Sequence, residues 1–151
     1  MTRWLDDEQQ DAWRRFLHAT SLLSERLDHG LSDRSDLSST DYEILVHLSE
    51  APERRLRMSQ LASTVLVSKS RLTYRIDRLV AKGLIDRVDC PNDGRGTNAL
   101  LTDEGFRQLE AAAPGHVDDV RRYLIDLIEP DEFEAFRNIF TRVEAALLAD
   151  D

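Results

Sequence analysis

One stretch collects side chains suited to recognition chemistry: Ser68-Lys69-Ser70-Arg71-Leu72-Thr73-Tyr74-Arg75-Ile76-Asp77-Arg78-Leu79. Read as a helix at about 100° per residue, it carries Ser70, Arg71, Tyr74 and Arg78 on one side, with Lys69, Thr73 and Arg75 on the flanks. Leu72, Ile76 and Leu79 recur at i, i+4, i+7 beside Val80 and form the opposite, apolar stripe. Ser68 can cap the helix by accepting from a free backbone N–H of the first turn. Long cations, hydroxyls and one aromatic suit phosphate oxygens and base edges in a DNA major groove. A charged helical face left in water is the competing reading, and the helix alone does not choose between them.

The neighbouring segments define what must hold that helix. Leu5 to Leu27 reads as a long helix with Trp13, Phe16, Leu17, Thr20, Leu23 and Leu27 on one face. That is more apolar surface than a small domain needs, so part of it is expected to pack against a partner chain. His29-Gly30 and Ser32-Asp33-Arg34-Ser35-Asp36 read as a connection. Ser38 and Asp41 are spaced as a capping box ahead of Ile44, Leu45 and Leu48, in a short helix ending before Pro52. Arg55-Leu56-Arg57 reads as a short strand, and Ser59 as the N-cap of a helix carrying Leu61, Ala62 and Val65. The helix from Ser68 follows after a tight turn and stops at Gly83, a favoured residue just past a helix end. Two short helices so joined, the second with a cationic outer face, make a helix-turn-helix.

Ile85, Arg87, Val88 and Asp89 read as one strand, and Thr97, Ala99, Leu100 and Leu101 as its hairpin partner. The turn formers Cys90-Pro91-Asn92-Asp93-Gly94-Arg95-Gly96 lie between them. Arg95 at the tip fits a narrow minor groove, although an ordinary exposed loop arginine is the simpler reading of the loop alone. Thr102-Asp103-Glu104 starts a further helix with a hydroxyl cap and acidic first turn. Its apolar spacing resumes beyond Pro114-Gly115 and runs to Ile128, predicting one kinked helix rather than two. A last helix spans Asp131 to about Leu148 and carries Phe133, Phe136, Ile139, Phe140, Val143 and Leu147.

The 151 residues suit a single compact unit with extensions, and no run approaches the ~18 apolar residues of a membrane span. The acidic N-terminus has no signal-peptide pattern, so the expected compartment is the cytoplasm. The net charge of −9 is unevenly spread: Arg54 to Arg95 hold ten basic and four acidic residues, a balance of +6, leaving −15 elsewhere. A nucleic-acid-binding protein needs such a local footprint more than a positive total. Cys90 is the only cysteine, so intrachain disulfides and cysteine-cluster metal sites are excluded. The four histidines, His18, His29, His47 and His116, lack the spacing of a zinc helix, and no Gly-rich phosphate loop is present. No catalytic residue, metal site or cofactor is expected.

With these motifs in place the chain resembles the MarR family of bacterial transcription regulators. The resemblance covers nearly the whole chain. It rests on Leu37-Ser38 with Tyr42-x-x-Leu45 and Pro52, on Ser59-x-Leu61-Ala62, and on Ser68-x-Ser70-x-Leu72-Thr73. It continues through Asp77-Arg78-Leu79-x-x-x-Gly83-Leu84 to Asp93-Gly94-Arg95-Gly96 with Leu101-Thr102-x-x-Gly105. The Asp-x-Arg wing followed by Leu-Thr is the most specific part.

The resemblance implies a mainly α fold: a winged helix-turn-helix over residues 37–102, with a small hairpin wing. It implies an N-terminal dimerisation helix in 1–36 and C-terminal dimerisation helices in 103–151, making a homodimer on a pseudo-palindromic duplex operator. DNA contacts would come from Ser68, Lys69, Ser70, Arg71, Thr73, Tyr74, Arg75 and Arg78. Arg95 would enter the minor groove and Asp93 would orient it. Where many relatives carry arginine this chain carries Tyr74, so no base preference carries over to that position.

The expected function is sequence-specific regulation of transcription, as a repressor of nearby genes relieved by a small effector. Relatives often bind small aromatic acids between the dimer helices and the winged domain, and Trp13, Phe16 and Tyr42 are the candidate lining here. Aromatic residues at helical spacing are more often plain core. Two alternative functions compete with this one. A winged helix serving only protein contacts is opposed by the +6 segment and Arg95. A redox sensor at Cys90 would gain from Arg87 and Arg95, which favour a thiolate, but Asp86, Asp89 and Asp93 oppose them. The family's oxidation sensors also carry their reactive cysteine near the N-terminus, where this chain has none.

Overall fold

Capping explains where most of the helices begin. In the computed structural model, which describes residues 1–90 and 96–149, α1 (Asp7–Ser35) opens on a reciprocal cap. Asp6 accepts from the Gln9 N–H at 2.8 Å, and the Gln9 amide oxygen accepts from the Asp6 N–H. The second helix, α2 (Ser39–Glu50), opens on the expected capping box. Ser38 Oγ accepts from the Asp41 N–H and Asp41 Oδ2 from the Ser38 N–H, each at 3.1 Å. The short strand β1 (Arg55–Arg57) leads into α3 (Met58–Val65) and then α4 (Lys69–Ala81), the helix with the mixed outer face.

The hairpin follows as β2 (Ile85–Asp89) and β3 (Thr97–Leu101). The three strands form one antiparallel sheet in the order β1-β3-β2, with Leu56 opposite Ala99 and Arg87 opposite Ala99 on the other edge. The alternation leaves Ile85, Ala99 and Leu101 buried. Then come α5 (Asp103–Tyr123), a 3-10 turn at Ile125–Leu127, and α6 (Phe133–Ala149).

The chain divides into two compact units, Met1–Val117 and Asp118–Asp151. The first has one core, in which Leu31, Leu37, Ile44, Leu48, Leu61, Leu72, Ile76, Leu79 and Ile85 are almost wholly removed from water. Each such side chain stabilises the fold by roughly 1.5–3 kcal/mol relative to exposure. The second unit holds α6, in which no described residue is buried. Its rings form a ladder, Phe133 to Phe136 at 6.4 Å and Phe136 to Phe140 at 4.9 Å.

Three boundaries differ from the sequence reading. First, α1 does not stop near Leu27. It passes through Gly30 and the polar run to Ser35, and Asp36 closes it in the left-handed conformation (φ 55°). Gly30 costs a helix interior about 1 kcal/mol. Burial of Leu31, at 1% exposure, offsets that, and the Ser35 hydroxyl turns back to the Leu31 carbonyl at 2.6 Å. Second, α3 starts two residues earlier than a Ser59 cap requires. Arg57 is the capping position, and the Gln60 side chain accepts from its N–H at 3.3 Å. Third, α5 remains one helix through Pro114 but ends at Tyr123, not Ile128. Leu124 leaves helical geometry (φ −141°, ψ −65°), and the Arg121–Asp126 ion pair spans the turn that follows.

Candidate nucleic-acid interface

The local chain geometry accounts for how α4 is presented. The turn from α3 places Leu66 in the left-handed region (φ 55°, ψ 42°) and Val67 N–H on the Ala62 carbonyl at 3.2 Å. Ser68 then caps α4, accepting from the Arg71 N–H at 3.3 Å. Leu72, Ile76 and Leu79 fasten its inner stripe to the core. The far end closes with Gly83 at φ +74°: Leu84 N–H reaches the Leu79 carbonyl and Gly83 N–H the Val80 carbonyl, both at 2.9 Å. This paired closure needs a residue that tolerates positive φ, which is why glycine stands there.

The next element locks onto that end. Thr102 Oγ1 donates to the Gly83 carbonyl at 2.7 Å and accepts from the Gly105 N–H at 3.0 Å, while Thr102 N–H donates to Leu84 O at 3.1 Å. A Cβ on Gly105 would lie 2.1 Å from the Leu84 carbonyl oxygen. The first turn of α5 thus rests directly on backbone.

On the outer face, Ser68, Lys69, Ser70, Arg71, Thr73, Tyr74 and Arg78 are all exposed. Ser68 and Ser70 hydroxyls bond each other at 3.2 Å, and the Thr73 hydroxyl donates to the Lys69 carbonyl at 2.9 Å. Arg78 Nη1 donates to the Tyr74 hydroxyl oxygen at 3.2 Å, with the guanidinium 5.9 Å from the ring centre. That hydrogen bond, and then the Arg78 charge, hold the Tyr74 phenol below its ordinary value, and the Arg78 guanidinium is correspondingly raised.

Arg75 stands apart from this group. It turns to α2 and ion-pairs with the buried Asp41 carboxylate at 3.6 Å. Asp93 and Arg95 lie outside the described residues.

Several neighbours were not singled out from sequence. A groove of about 600 Å³ runs beside α4, lined among others by Arg57, Ser59, Lys69, Thr73, Arg87 and Thr97. The sequence puts Arg57 and Arg87 on strands of the basic segment without marking either as a DNA contact. Asp77 also lies on the exposed side of α4, and Arg87 of β2 pairs with it at 2.7 Å, offsetting a charge that would repel phosphate.

Within one chain the three aromatic residues expected to line an effector site do not come together. Tyr42 lines a cleft of about 520 Å³ with Leu27, Asp28, Ser39, Val46 and His116 among its walls. Its ring lies 4.5 Å from that of His116, and burial pushes its phenol up from the ordinary value. Asp28 accepts from the Ser39 N–H at 2.7 Å on the same wall. Trp13 and Phe16 stack on each other at 5.9 Å, exposed, roughly 16 Å and 12 Å up α1 from Ser24 at 1.5 Å per residue. The sequence signal for Asp28 and His116 was absent because they join Tyr42 only through the fold.

Cys90 is buried at the base of the hairpin, its thiol on the Asn98 side-chain oxygen at 3.3 Å. Among the described residues no group of three His, Cys, Asp or Glu side chains could hold a metal ion, and no helix is long and apolar enough to cross a membrane.

Comparison with known proteins places these features in a group. Residues 35–96 match the model of the MarR family. The transcriptional regulator PecS of Dickeya dadantii is 32% identical over 134 residues, which is 87% of this chain and 80% of PecS. Among solved structures, Sco3205 of Streptomyces coelicolor, a MarR family transcriptional regulator in complex with DNA, superposes with a TM-score of 0.94. It is 40% identical, over 97% of this chain and 92% of that one. PcaV of the same organism, a transcriptional regulator in complex with its natural ligand, superposes with a TM-score of 0.73 at 26% identity, over 97% and 99% of the two chains.

Proposed function

This chain belongs to the MarR family of transcription regulators, and we propose that it acts in the cytoplasm as a homodimer on a pseudo-palindromic operator, repressing transcription until an effector binds. The observation that carries this reading is the outer face of α4. It gathers Ser70, Arg71, Tyr74 and Arg78 without burying any of them, while the inner stripe fixes the helix to the core. The α4 face enters the major groove, and Lys69 and the groove beside Arg57 and Arg87 follow the phosphates, while the family resemblance assigns Arg95, with Asp93, to the minor groove.

Two-fold pairing is supported by apolar surface that one chain leaves in water. Trp4, Trp13 and Leu17 of α1 and its approach are exposed, and so are Phe133, Ile139, Val143 and Leu147 of α6. Apolar stripes of this kind mark interfaces. A symmetric dimer sets half-sites about 10 base pairs apart or a multiple of that.

The test is binding to the intergenic DNA beside the protein's own gene, measured across a salt series. Affinity is expected to fall steeply as salt rises. Arg71→Ala is expected to cost roughly 1–3 kcal/mol and relax specificity at one position. Salt-independent binding, or unchanged binding by both Arg71→Ala and Arg95→Ala, would overturn the assignment.

The Tyr42 cleft supports the effector half of the reading. Its apolar floor at Leu27 and Val46, with Tyr42 and His116 as polar-tipped rings, suits a small aromatic acid. A thermal-shift series with aromatic carboxylates is expected to show stabilisation that Tyr42→Ala removes.

A further inference from the structure

On the outer face of α4 the hydroxyls are engaged to different degrees. Ser68 and Ser70 share one hydrogen bond, which uses one of their two protons, and the Thr73 proton is spent on the Lys69 carbonyl. Arg75 is turned inward to Asp41. Tyr74 differs in that a cation is fixed on its oxygen. A phenol oxygen has one proton to donate and lone pairs to accept with. The lone-pair side receives Arg78 Nη1 at 3.2 Å, one helical turn on, and among the described residues the O–H has no acceptor of its own. The residue is 56% exposed, so the proton is offered to solvent, or to whatever replaces solvent on binding.

We propose that Tyr74 and Arg78 read the operator as one unit: Arg78 fixes the phenol by donating into its oxygen, and the O–H donates to an acceptor on a major-groove base edge, excluding cytosine from the strand it faces. Guanine offers N7 and O6 there, adenine N7 and thymine O4, whereas cytosine offers only its N4 amino donor. The hydrogen bond from Arg78 draws electron density from the phenol oxygen and so strengthens its O–H as a donor, since linked hydrogen bonds polarise one another. The lowered titration point of Tyr74 is in keeping with that. Tyr74 is the specificity-determining residue and Arg78 a positioning residue that acts through it. The proposal rests on the placement of α4 in the major groove.

The experiment is selection from randomised duplexes with the full-length wild type, Tyr74→Phe, Arg78→Met, Arg78→Lys and the Tyr74→Phe/Arg78→Met double variant. The wild type is expected to deplete cytosine at one position of each half-site. Tyr74→Phe, which keeps the ring and removes the proton, should erase that depletion. It should lower affinity for the selected sites by roughly 2- to 10-fold while preferences at other positions persist. Arg78→Met should blunt the same position, Arg78→Lys should restore part of it, and the double variant should be no worse there than Tyr74→Phe.

A DNA-free readout accompanies these. By NMR titration of labelled tyrosine, the Tyr74 phenol should move back towards its ordinary value in Arg78→Met, and no movement would remove Arg78 from the unit. A uniform affinity loss in Tyr74→Phe with an unchanged pattern would mean a phosphate contact and overturn the base-reading role, as would a wild-type result. A wild type that selects no sequence at all would bring down the regulator reading itself, and this unit with it.

Discussion

Removal of Arg75 separates stability from recognition on a single helix. The residue belongs by sequence to the cationic helix, yet its guanidinium sits 3.6 Å from Asp41 Oδ1, with 29% of the Arg75 side chain and 8% of the Asp41 side chain exposed. Asp41 Oδ2 is occupied by the Ser38 N–H, and Oδ1 has no hydrogen bond among the described residues. Arg75→Ala therefore leaves a buried carboxylate whose second oxygen faces no cation. Breaking a fully buried pair from one side costs about 3–5 kcal/mol, and the long separation and partial exposure here reduce that to roughly 1–3 kcal/mol. For a chain of this size the melting temperature should fall by roughly 3–10 °C. Urea and thermal unfolding at one fixed protomer concentration measure the effect, since dimerisation makes the midpoint concentration-dependent. Binding to the operator, measured well below the transition, should change by less than threefold, on the order of 0.6 kcal/mol. A variant with wild-type stability and lost DNA binding would refute the reasoning and return Arg75 to the DNA. Asp41→Ala/Arg75→Ala should be less destabilised than the sum of the two single variants, because the unpaired charge is gone.

Three further outcomes are expected. Gly105→Ala must push a methyl to within 2.1 Å of the Leu84 carbonyl oxygen and 2.7 Å of Leu101 Cδ1, so it should destabilise by about 2–4 kcal/mol in urea unfolding. Leu66→Gly relieves a left-handed, 78%-exposed leucine and should leave stability unchanged or raise it by up to about 1 kcal/mol, readable as a higher urea midpoint. The Asp36 carboxyl is held below its ordinary 3.8, first by the hydrogen bond from Lys82 and then by its charge. A depressed carboxylate contributes stability above its unfolded value, and that contribution is lost as pH falls through the folded one. Lys82→Met should therefore flatten the loss of stability below about pH 4 that the wild type shows in acid unfolding.

What the sequence made legible was whatever depends on neighbours along the chain. The Ser38–Asp41 box, the Ser68 cap, the Gly83 closure and the stripe of Leu72, Ile76 and Leu79 are local patterns, and each is found where spacing put it. The extent of α1 was not legible, because Gly30 and five polar residues look like a loop until Leu31 is seen inside the core. The inward turn of Arg75 was hidden for a similar reason. A helical wheel puts it on a flank, and only the packing of α2 against α4 supplies a buried carboxylate there. The cleft at Tyr42 needed His116 and Asp28, which are remote in sequence from it and from each other. Asp77 was passed over because its compensating cation, Arg87, sits on another element.

The seat of α5 has a mechanical meaning. The Thr102 hydroxyl and Gly105 bring the opening turn of that helix against the carbonyls of Gly83 and Leu84, with no side chain between to act as a cushion. A joint without clearance cannot swivel. Any change in the heading of those first turns must therefore carry the end of α4 with it, and a few degrees at the seat become a displacement of Ser70 and Arg71 at the far tip of a 13-residue lever. The pitch of that lever, in each of two copies, is what sets the gauge of the track on which the dimer can run.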